Sequence, residues 1–329
     1  MSYKKSFQQL IKERNEILWA PCIYDCVSAK TAEAIGFEAV TISSFEQAHS
    51  FLGKPYMTQD EMYTSAVNII RSTNCAVLVD GEDGGGNPVE VYYNVKRYAE
   101  AGAAAISIED CFHGSSVGVH TIGVERNAKS YQVYDHIMPA ELWAACVQAA
   151  VEATKGTDCM VIARVDSKGT MEGGPAKFGK RPGLGLDESI RRAQMGVKMG
   201  APMTMIQNIC YPGGRHEWEE ICKRVPGLHC YPDIHGDYGV SDVDDVKELY
   251  DLGFQMVTCH AFLKGAFKGM LEYGRHVFND KNTVFTENED LGYPLYQIDP
   301  FTFEDWGKKC DHWLETMDSL KGYKEEKIK

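Results

Sequence analysis

The sequence lacks the features that mark secreted, membrane-spanning and zinc-binding proteins. No segment stays apolar for the roughly 20 residues that a membrane-spanning helix requires, and the first 15 residues are too polar for a signal peptide. The 11 cysteines are odd in number, form no C-x-x-C pair and follow no zinc-ligand spacing. We therefore expect buried, reduced thiols, a cytoplasmic location and no membrane partner.

The sequence also lacks an excess of positive charge, and its formal net charge at pH 7 is -13. Proteins that bind nucleic acids usually concentrate Lys and Arg, and anionic membrane surfaces attract basic segments. The acidity therefore argues against both kinds of partner, and we interpret it as a solubility feature.

What the chain does contain is a regular alternation of two patterns along its 329 residues. Short apolar segments rich in Val and Ile, without clean polar alternation, are typical of parallel strands that are buried on both faces. The predicted strands are residues 18–23, 39–44, 76–80, 104–109, 160–166, 203–208, 228–232 and 255–260.

Helical patterns fill the intervals between these segments. Thr58, followed three residues later by Glu61, forms a capping-box pattern, and Pro88 suits the first turn of a helix. Glycines such as Gly36 and Gly253 end helices directly before a strand. The predicted helices are residues 28–35, 58–71, 88–100, 139–153, 187–199, 214–223, 241–252 and 262–273. Strict alternation of strands and helices favours a (β/α)8 TIM barrel over an open sheet.

Some segments are longer than a minimal barrel requires. The connections at residues 111–138 and 167–186 are long enough to be lids or binding loops. Residues 301–320 carry aromatic side chains at helical spacing, which need a barrel or subunit surface to cover them. We therefore predict a catalytic barrel over residues 1–280 and a swapped or extended C-terminal helical segment over residues 281–329.

Polar residues collect where the predicted strands end. They are Tyr24, Asp25, Ser43, Ser44, Asp80, Glu82, Asp83, Glu109, Asp110, Arg164, Asp166, Gln207, Asn208, Asp233 and His260. In a barrel these ends share one mouth, where active sites lie. So many carboxylates in one place are unfavourable unless a cation neutralises them. Hard oxygen ligands favour Mg2+ or Mn2+ over zinc.

The strongest single signal is the run Asp-Gly-Glu-Asp-Gly-Gly-Gly-Asn at residues 80–87. Its carboxylates suit a divalent metal, and its glycines let a substrate approach the backbone. An acidic, glycine-rich turn without a ligand is the alternative. Because Glu109 follows at the end of the next strand, we favour a metal site that consists of Asp80, Glu82 and Glu109.

Other strand-end residues have a functional and a structural interpretation. Arg164 suits a bidentate clamp for a substrate carboxylate, or a salt bridge with Asp166 or Glu109. Ser43 and Ser44 offer hydroxyl and backbone N–H groups to a carboxylate, or form a plain turn.

Two polar residues have mainly structural interpretations. His260 by itself is best interpreted as a hydrogen-bonded core histidine. Asp25 either supports the site from behind or caps the helix that follows it.

The strand-end residues, in their order along the chain, resemble the motifs of the isocitrate lyase / phosphoenolpyruvate mutase superfamily. The similarity covers roughly residues 15 to 275. The matching phrases include Tyr-Asp at 24–25, Ser-Ser at 43–44, Val-Asp-Gly-Glu-Asp-Gly at 79–84, Ile-Glu-Asp at 108–110 and Ala-Arg-Val-Asp at 163–166.

The resemblance implies a metal-dependent enzyme acting on small carboxylates. Mg2+ would contact Asp80 directly, and Glu82 and Glu109 mainly through waters, with oxygens of a 2-oxo acid as further ligands. Arg164 and the strand end at residues 43–45 would hold the substrate carboxylate. The shared intermediate would be enolpyruvate or a close relative, and the assembly a homotetramer that exchanges its eighth helix. We include Tyr24, Ser43, Ser44, Phe45, Asp80, Arg164 and Gln207 among the predicted substrate-binding residues.

The sequence also departs from the family pattern. Relatives that cleave isocitrate or 2-methylisocitrate carry a lid motif, Lys-Lys/Arg-Cys-Gly-His, whose cysteine is the catalytic acid. Here residues 112–120 read Phe-His-Gly-Ser-Ser-Val-Gly-Val-His, with no cysteine in the matching place. The Phe-Pro-Lys phrase of the phosphonopyruvate enzymes is absent too. Glu82 stands where the family usually has Asp, Gln207 where many relatives have Glu, and an aspartate common near Tyr56 is replaced.

These observations leave three functional hypotheses. The favoured one is a Mg2+-dependent carbon–carbon lyase that cleaves a 2-hydroxy di- or tricarboxylate, such as a 2-alkylmalate or a methylisocitrate-like substrate, to a 2-oxo acid. The second is a phosphonopyruvate or phosphoenolpyruvate mutase or hydrolase. The third is a binding homologue without catalysis.

The favoured reaction needs a residue that protonates the enolate. Histidine titrates nearest to neutral pH, and residues 112–120 contain two. We predict His113 as the acid, because it lies four residues after Glu109, and His120 as the second choice. A solvent-exposed loop histidine without a role is the alternative.

Overall fold

The computed structural model describes residues 5–54, 56–112, 137–169, 183–211, 213–234, 243, 245–285 and 303–320. Nine parallel strands form one sheet in the order β1-β9-β8-β7-β6-β5-β4-β3-β2. The strands are β1 (Leu18–Trp19), β2 (Cys22–Ile23), β3 (Ala39–Ile42), β4 (Ala76–Asp80), β5 (Ala105–Ile108), β6 (Met160–Val165), β7 (Met203–Ile206), β8 (Leu228–Tyr231) and β9 (Met256–Val257).

The sheet closes on itself through residues 18–23. Ala20 donates its N–H to the carbonyl of Val257, and Thr41 donates its N–H to the carbonyl of Pro21, both at 2.9 Å. This segment therefore pairs with β9 on one side and β3 on the other. It divides into β1 and β2 because Pro21 has no N–H to continue the ladder. The predicted eight-stranded barrel is confirmed, with its first strand in two pieces.

Helices separate the strands along the chain. They are α1 (Phe7–Lys12), α2 (Cys26–Ile35), α3 (Ser44–Leu52), α4 (Gln59–Ser72), α5 (Pro88–Glu100), α6 (Ala140–Ala153), α7 (Gly185–Lys198), α8 (Arg215–Arg224), α9 (Val246–Leu252), α10 (Phe262–Asp280) and α11 (Phe303–Leu320). Helices α1 and α3 were not predicted, and α10 runs seven residues beyond its predicted end at 273. Thr58 caps α4 through a capping box with Glu61, as predicted.

The strands alternate between two apolar layers, as the pleat requires. On β4, Ala76 and Leu78 belong to the cluster that fills the barrel interior, whereas Val77 and Val79 belong to the layer beneath the helices. Phe7 of α1 packs on the interior cluster. Interior packing by apolar side chains leaves the carboxyl ends of the strands for polar groups.

The chain divides into two compact units, residues 1–269, which contain the barrel, and residues 270–329. In the second unit, Trp313, Leu314 and Met317 of α11 have exposed side chains. The boundary predicted after residue 280 stays a prediction. None of the helices in the described part of the chain combines the length and the apolar character needed to span a membrane.

Candidate active site

The predicted metal-site residues and Arg164 lie at the carboxyl end of the barrel, which we call the mouth. Strand alternation brings them to the barrel axis: Asp80 is two positions after Leu78, and Arg164 is two positions after Ile162, both of which are interior residues. By the same alternation, Glu109, Gln207 and His260 follow inward positions of β5, β7 and β9.

Arg164 joins the carboxylates at the centre of the mouth. Its Nε and Nη2 each lie 2.8 Å from an oxygen of Asp166, so this pair is bidentate. Its Nη1 donates to Asp80 Oδ1 at 2.8 Å, and its Nη2 lies 3.1 Å from Glu109 Oε2. Burial by itself lowers the pKa of Arg164, but Asp166, Asp80 and Glu109 raise it well above its usual value. The predicted salt bridge is therefore present.

Ser44, the first residue of α3, reaches the metal-site candidates. Its hydroxyl lies 3.0 Å from Asp80 Oδ2 and also contacts Glu82 Oε1. Since a hydroxyl has a single proton, it donates to one of these carboxylates at a time. Ser43 caps the same helix by accepting from the Glu46 N–H at 3.4 Å. Ser43 and Ser44 thus begin a helix instead of forming a plain turn.

The turn after β4 is tightly constrained. A Cβ at Gly81 would lie 2.6 Å from the carbonyl oxygen of Ser107, so only glycine fits there without a shift. Glu82 has a φ of 52°, a conformation that non-glycine residues rarely adopt and that concentrates at functional sites. This backbone turns Glu82 toward Ser44.

We define the acidic cluster as Asp80, Glu82, Glu109 and Asp166. Among the described residues it contacts a single guanidinium, that of Arg164. Burial raises the pKa of Asp80 despite the opposing effect of Arg164. Burial also raises the pKa of Glu109 well above its usual range, and the Glu82 carboxylate adds to that increase. The cluster therefore has more buried negative charge than Arg164 balances.

A hard divalent cation fits this donor set. Glu109 Oε1 is buried and has no hydrogen-bond partner in the described part of the chain. No group of three or more His, Cys, Asp or Glu side chains among the described residues is arranged to hold an ion by itself. A cation at Asp80 would therefore complete its coordination with waters or substrate oxygens, as hard cations commonly do.

Asp110 stands behind the acidic cluster. Its Oδ1 accepts the N–H groups of Asp166 at 2.7 Å and Ser167 at 3.0 Å. Its Oδ2 lies 3.1 Å from Nη1 of Arg192 on α7. Asp110 therefore fixes the backbone of Asp166, whose carboxylate holds the central guanidinium.

A family model described as "Phosphoenolpyruvate phosphomutase" matches residues 7–277. The chain belongs to this family. The predicted membership of the isocitrate lyase / phosphoenolpyruvate mutase superfamily is thereby confirmed, and with it the prediction that the protein is an enzyme.

Among curated proteins, the chain is similar to two relatives whose names describe different reactions. It is 27% identical to 2,3-dimethylmalate lyase of Eubacterium barkeri over 88% of this chain and 94% of the relative. It is 30% identical to the chloroplastic carboxyvinyl-carboxyphosphonate phosphorylmutase of Arabidopsis thaliana, over 77% of this chain and 67% of the relative. A crystal structure of 2,3-dimethylmalate lyase superposes with a TM-score of 0.71 and 21% identity, covering 92% of this chain and 95% of that one.

The structure shows no contact between the acidic cluster and the other predicted site residues that it describes, Tyr24, Phe45 and Gln207. Tyr24 is half-buried, and burial followed by the charges of Asp25 and Glu46 raises its pKa. Gln207 Nε2 lies 3.4 Å from a methionine sulfur on its own strand. The ring of Phe45 is exposed. Asp25 caps α2 in a capping box, as one interpretation predicted. His113 and His120 lie outside the described residues.

Sequence reasoning missed the buried partners behind the phosphomutase-family motifs. Arg192 pairs with Asp110, and Lys168 lies 2.9 Å from Glu217 Oε2. The spacing of Arg192 contained a signal, because the buried face of α7 also includes Ser189 and Ala193. A charged residue at that helical spacing needs a buried partner. No comparable local signal identifies Glu217 as the partner of Lys168.

Proposed function

We propose that the protein is a Mg2+-dependent carbon–carbon lyase. Its substrate would be a 2-hydroxy di- or tricarboxylate, 2-alkylmalate-like or methylisocitrate-like, cleaved to a 2-oxo acid through an enolate. The observation that carries the proposal is the buried acidic cluster around Arg164. The 27% identity with 2,3-dimethylmalate lyase over nearly the whole of both chains supports this reaction class.

The residues of the mouth would have separate roles in this reaction. Asp80 would hold the cation directly, and Glu82 and Glu109 would hold its waters. A bound cation would supply positive charge next to the oxygens on which negative charge develops. Arg164 donates one Nη1 hydrogen to Asp80, which leaves the other Nη1 hydrogen for a substrate carboxylate. Ser43–Phe45 would present backbone N–H groups of the α3 N-terminus to the same carboxylate.

The cleavage itself is a retro-aldol step. A base removes the proton of the 2-hydroxyl, the C2–C3 bond breaks, and its electron pair becomes the enolate of the departing carboxylate. The 2-oxo acid forms at C2, and the enolate carbon must then receive a proton. The sequence-based prediction that His113, or else His120, gives this proton stays a prediction.

Phosphorus–carbon chemistry is the second candidate. The family model and the 30% identity with a carboxyvinyl-carboxyphosphonate phosphorylmutase favour it. The lid motif that accompanies phosphonopyruvate chemistry in the resemblance is missing from residues 112–120. We therefore place a mutase or hydrolase second, and a binding homologue third, because the acidic cluster and Arg164 are intact.

To test this proposal, the protein is incubated with Mg2+ and a panel of candidate substrates, and release of a 2-oxo acid is followed by NMR. The panel consists of malates, alkylmalates, methylisocitrate, oxaloacetate and phosphonopyruvate. We expect release from a 2-hydroxy di- or tricarboxylate. Release from phosphonopyruvate alone would favour the second candidate.

Metal dependence is the first prediction. Excess EDTA should abolish turnover, and Asp80→Ala should lose Mn2+ binding measured by electron paramagnetic resonance, because Asp80 is the proposed direct ligand and Glu82 and Glu109 would act through waters. The matched control is Asp251→Ala, an exposed aspartate on α9 that pairs with Lys247. It should bind Mn2+ like the wild type. Full turnover in excess EDTA would contradict the proposal.

A further inference from the structure

His260 lies at the mouth, three residues after β9 ends, and is part of no role described above. Its Nδ1 lies 3.0 Å from Glu46 Oε1. Its Nε2 lies 3.9 Å from Cys22 Sγ and 3.9 Å from Asp233 Oδ2. These elements, β2, α3 and the end of β8, surround the imidazole on three sides.

The two ring nitrogens of His260 are in different situations. The distance from Nδ1 to Glu46 is that of a hydrogen bond, so Nδ1 carries a proton and the ring orientation is fixed. Both distances from Nε2 exceed the 2.7–3.2 Å of ordinary N–H···O bonds. The His260 side chain is 30% exposed. Its Nε2–H is therefore held near acceptors without a short bond to any of these neighbours.

The surroundings favour the protonated ring. Carboxylates of Glu46 and Asp233 and thiols of Cys22 and Cys259 face His260 from the packed elements. Burial by itself lowers the pKa of His260, but contacts with Cys22, Glu46 and Asp233 raise it well above its usual value. These contacts therefore favour a second proton on the imidazole of His260.

Helix α3 connects this histidine to the acidic cluster. Ser44 contacts Asp80 and Glu82, and Glu46, two residues later, orients His260. Two residues correspond to about 3 Å of helix rise. The first turn of α3 therefore has the acidic cluster on one side and the imidazole on the other.

We infer that His260 donates the proton to the enolate carbon, with Glu46 as the positioning residue. The inference rests on the proposed function, since it assigns a role within that reaction. The Nε2–H bond breaks, a C–H bond forms with the electron pair of the enolate, and the departing carboxylate is restored. The ring is left neutral and regains its proton from solvent. This role replaces that of the family's lid cysteine by a residue of the barrel itself.

The test begins with the substrate that the panel identifies. Its carboxylate product, incubated in D2O with Mg2+, the 2-oxo-acid product and enzyme, should exchange C–H for C–D, followed by NMR. We expect His260→Gln to slow exchange at least 100-fold, within the range for loss of a general acid, while 2-oxo-acid binding stays within twofold. The matched control is His49→Gln, an exposed histidine of α3, which should exchange at the wild-type rate.

The variant Glu46→Gln tests the positioning role through the pH dependence of kcat. A purely structural role of Glu46 would leave that pH dependence unchanged. This variant keeps the proton donor but removes its negative partner, so the high-pH limb of kcat should shift to lower pH. An unshifted limb would count against the positioning role. Exchange within twofold of wild type in folded His260→Gln, with loss of exchange in His113→Gln or His120→Gln, would overturn the inference.

A measurement without substrate separates this inference from the proposed function. The His260 imidazole, followed by NMR in the full chain, should titrate well above its ordinary pKa of about 6.5. Titration at or below that value would exclude a stored proton whatever the substrate. If the wild type cleaves nothing in the panel, the proposed function fails, and the assignment of His260 to this reaction fails with it.

Discussion

At the scale of single residues, burial decides which protonation states the barrel favours. Arg164 forms the salt bridge of one interpretation, since it is paired with Asp80, Glu109 and Asp166, and its role as a clamp for a substrate carboxylate stays a prediction. The buried histidine of β8, His229, shows the opposite effect to His260, because burial lowers its pKa and favours the neutral ring.

His229 leads to a pH prediction. Burial lowers its pKa, although a hydrogen bond with Val225 opposes this. Since the unfolded state then binds its proton first, stability should fall as pH drops below about 6.5, by up to about 1.4 kcal/mol per pH unit. His229→Asn should flatten that part of the stability curve, measured by urea unfolding between pH 7 and pH 5.

The matched control for this experiment is His216→Asn, an exposed histidine of α8. It should keep the wild-type pH dependence. Equal slopes for the wild type and His229→Asn would show that folding does not lower the pKa of this ring.

At the scale of elements, capping residues decide where helices begin, and local sequence shows this well. The capping box of Thr58 and Glu61 at α4 and the proline at the start of α5 were recognised from the sequence. The start of α3 was not, because Ser43 and Ser44 fit a turn as well as a helix. The error matters, since the first turn of α3 carries Ser44 and Glu46 to the mouth.

The α4 cap supports a stability prediction. Thr58→Ala should destabilise the protein by about 1 kcal/mol, because the Glu61 N–H loses its acceptor. The comparison is Thr64→Ala, within the same helix, where the hydroxyl donates to the carbonyl of Asp60. This variant should be neutral or slightly stabilising, since Ala has the higher helix propensity. Urea unfolding measures both, and equal losses would contradict the role of the cap.

At the scale of the whole molecule, the exposed apolar side chains of α10 need an explanation. Phe267, Met270 and Phe278 are each more than half exposed, and no residue of α10 is buried. Apolar residues at such density on one helix mark an association surface. The predicted homotetramer would cover them, and so would the helix exchange that the family resemblance implies.

Association is therefore the prediction at this scale. The wild type should be a tetramer, or at least a dimer, by light scattering at micromolar concentration. The double variant Phe267→Glu/Phe278→Glu should dissociate, because it places charges in the covered surface. A matched control, Lys268→Glu on the same helix, tests whether charge by itself is enough. A monomeric wild type would contradict the prediction.

The sequence by itself determined the strands, most of the helices and the residue types at the mouth. Parallel strands that are buried on both faces need continuous apolar segments. Glycines and capping residues mark the ends of helices locally. The order of strands and helices in the barrel could therefore be predicted from the sequence. The residues Asp80, Glu109 and Arg164 were identifiable because barrel topology puts every strand end at one mouth.

Only the tertiary structure decided which groups are partners. Glu46 and His260 are 214 residues apart, and Asp110 and Arg192 are 82 apart. No local pattern encodes such pairs, because the hydrogen bonds form only after the barrel closes. Burial, and hence the direction of each pKa shift, is likewise a property of the packed structure, since it depends on how much water the neighbouring elements exclude.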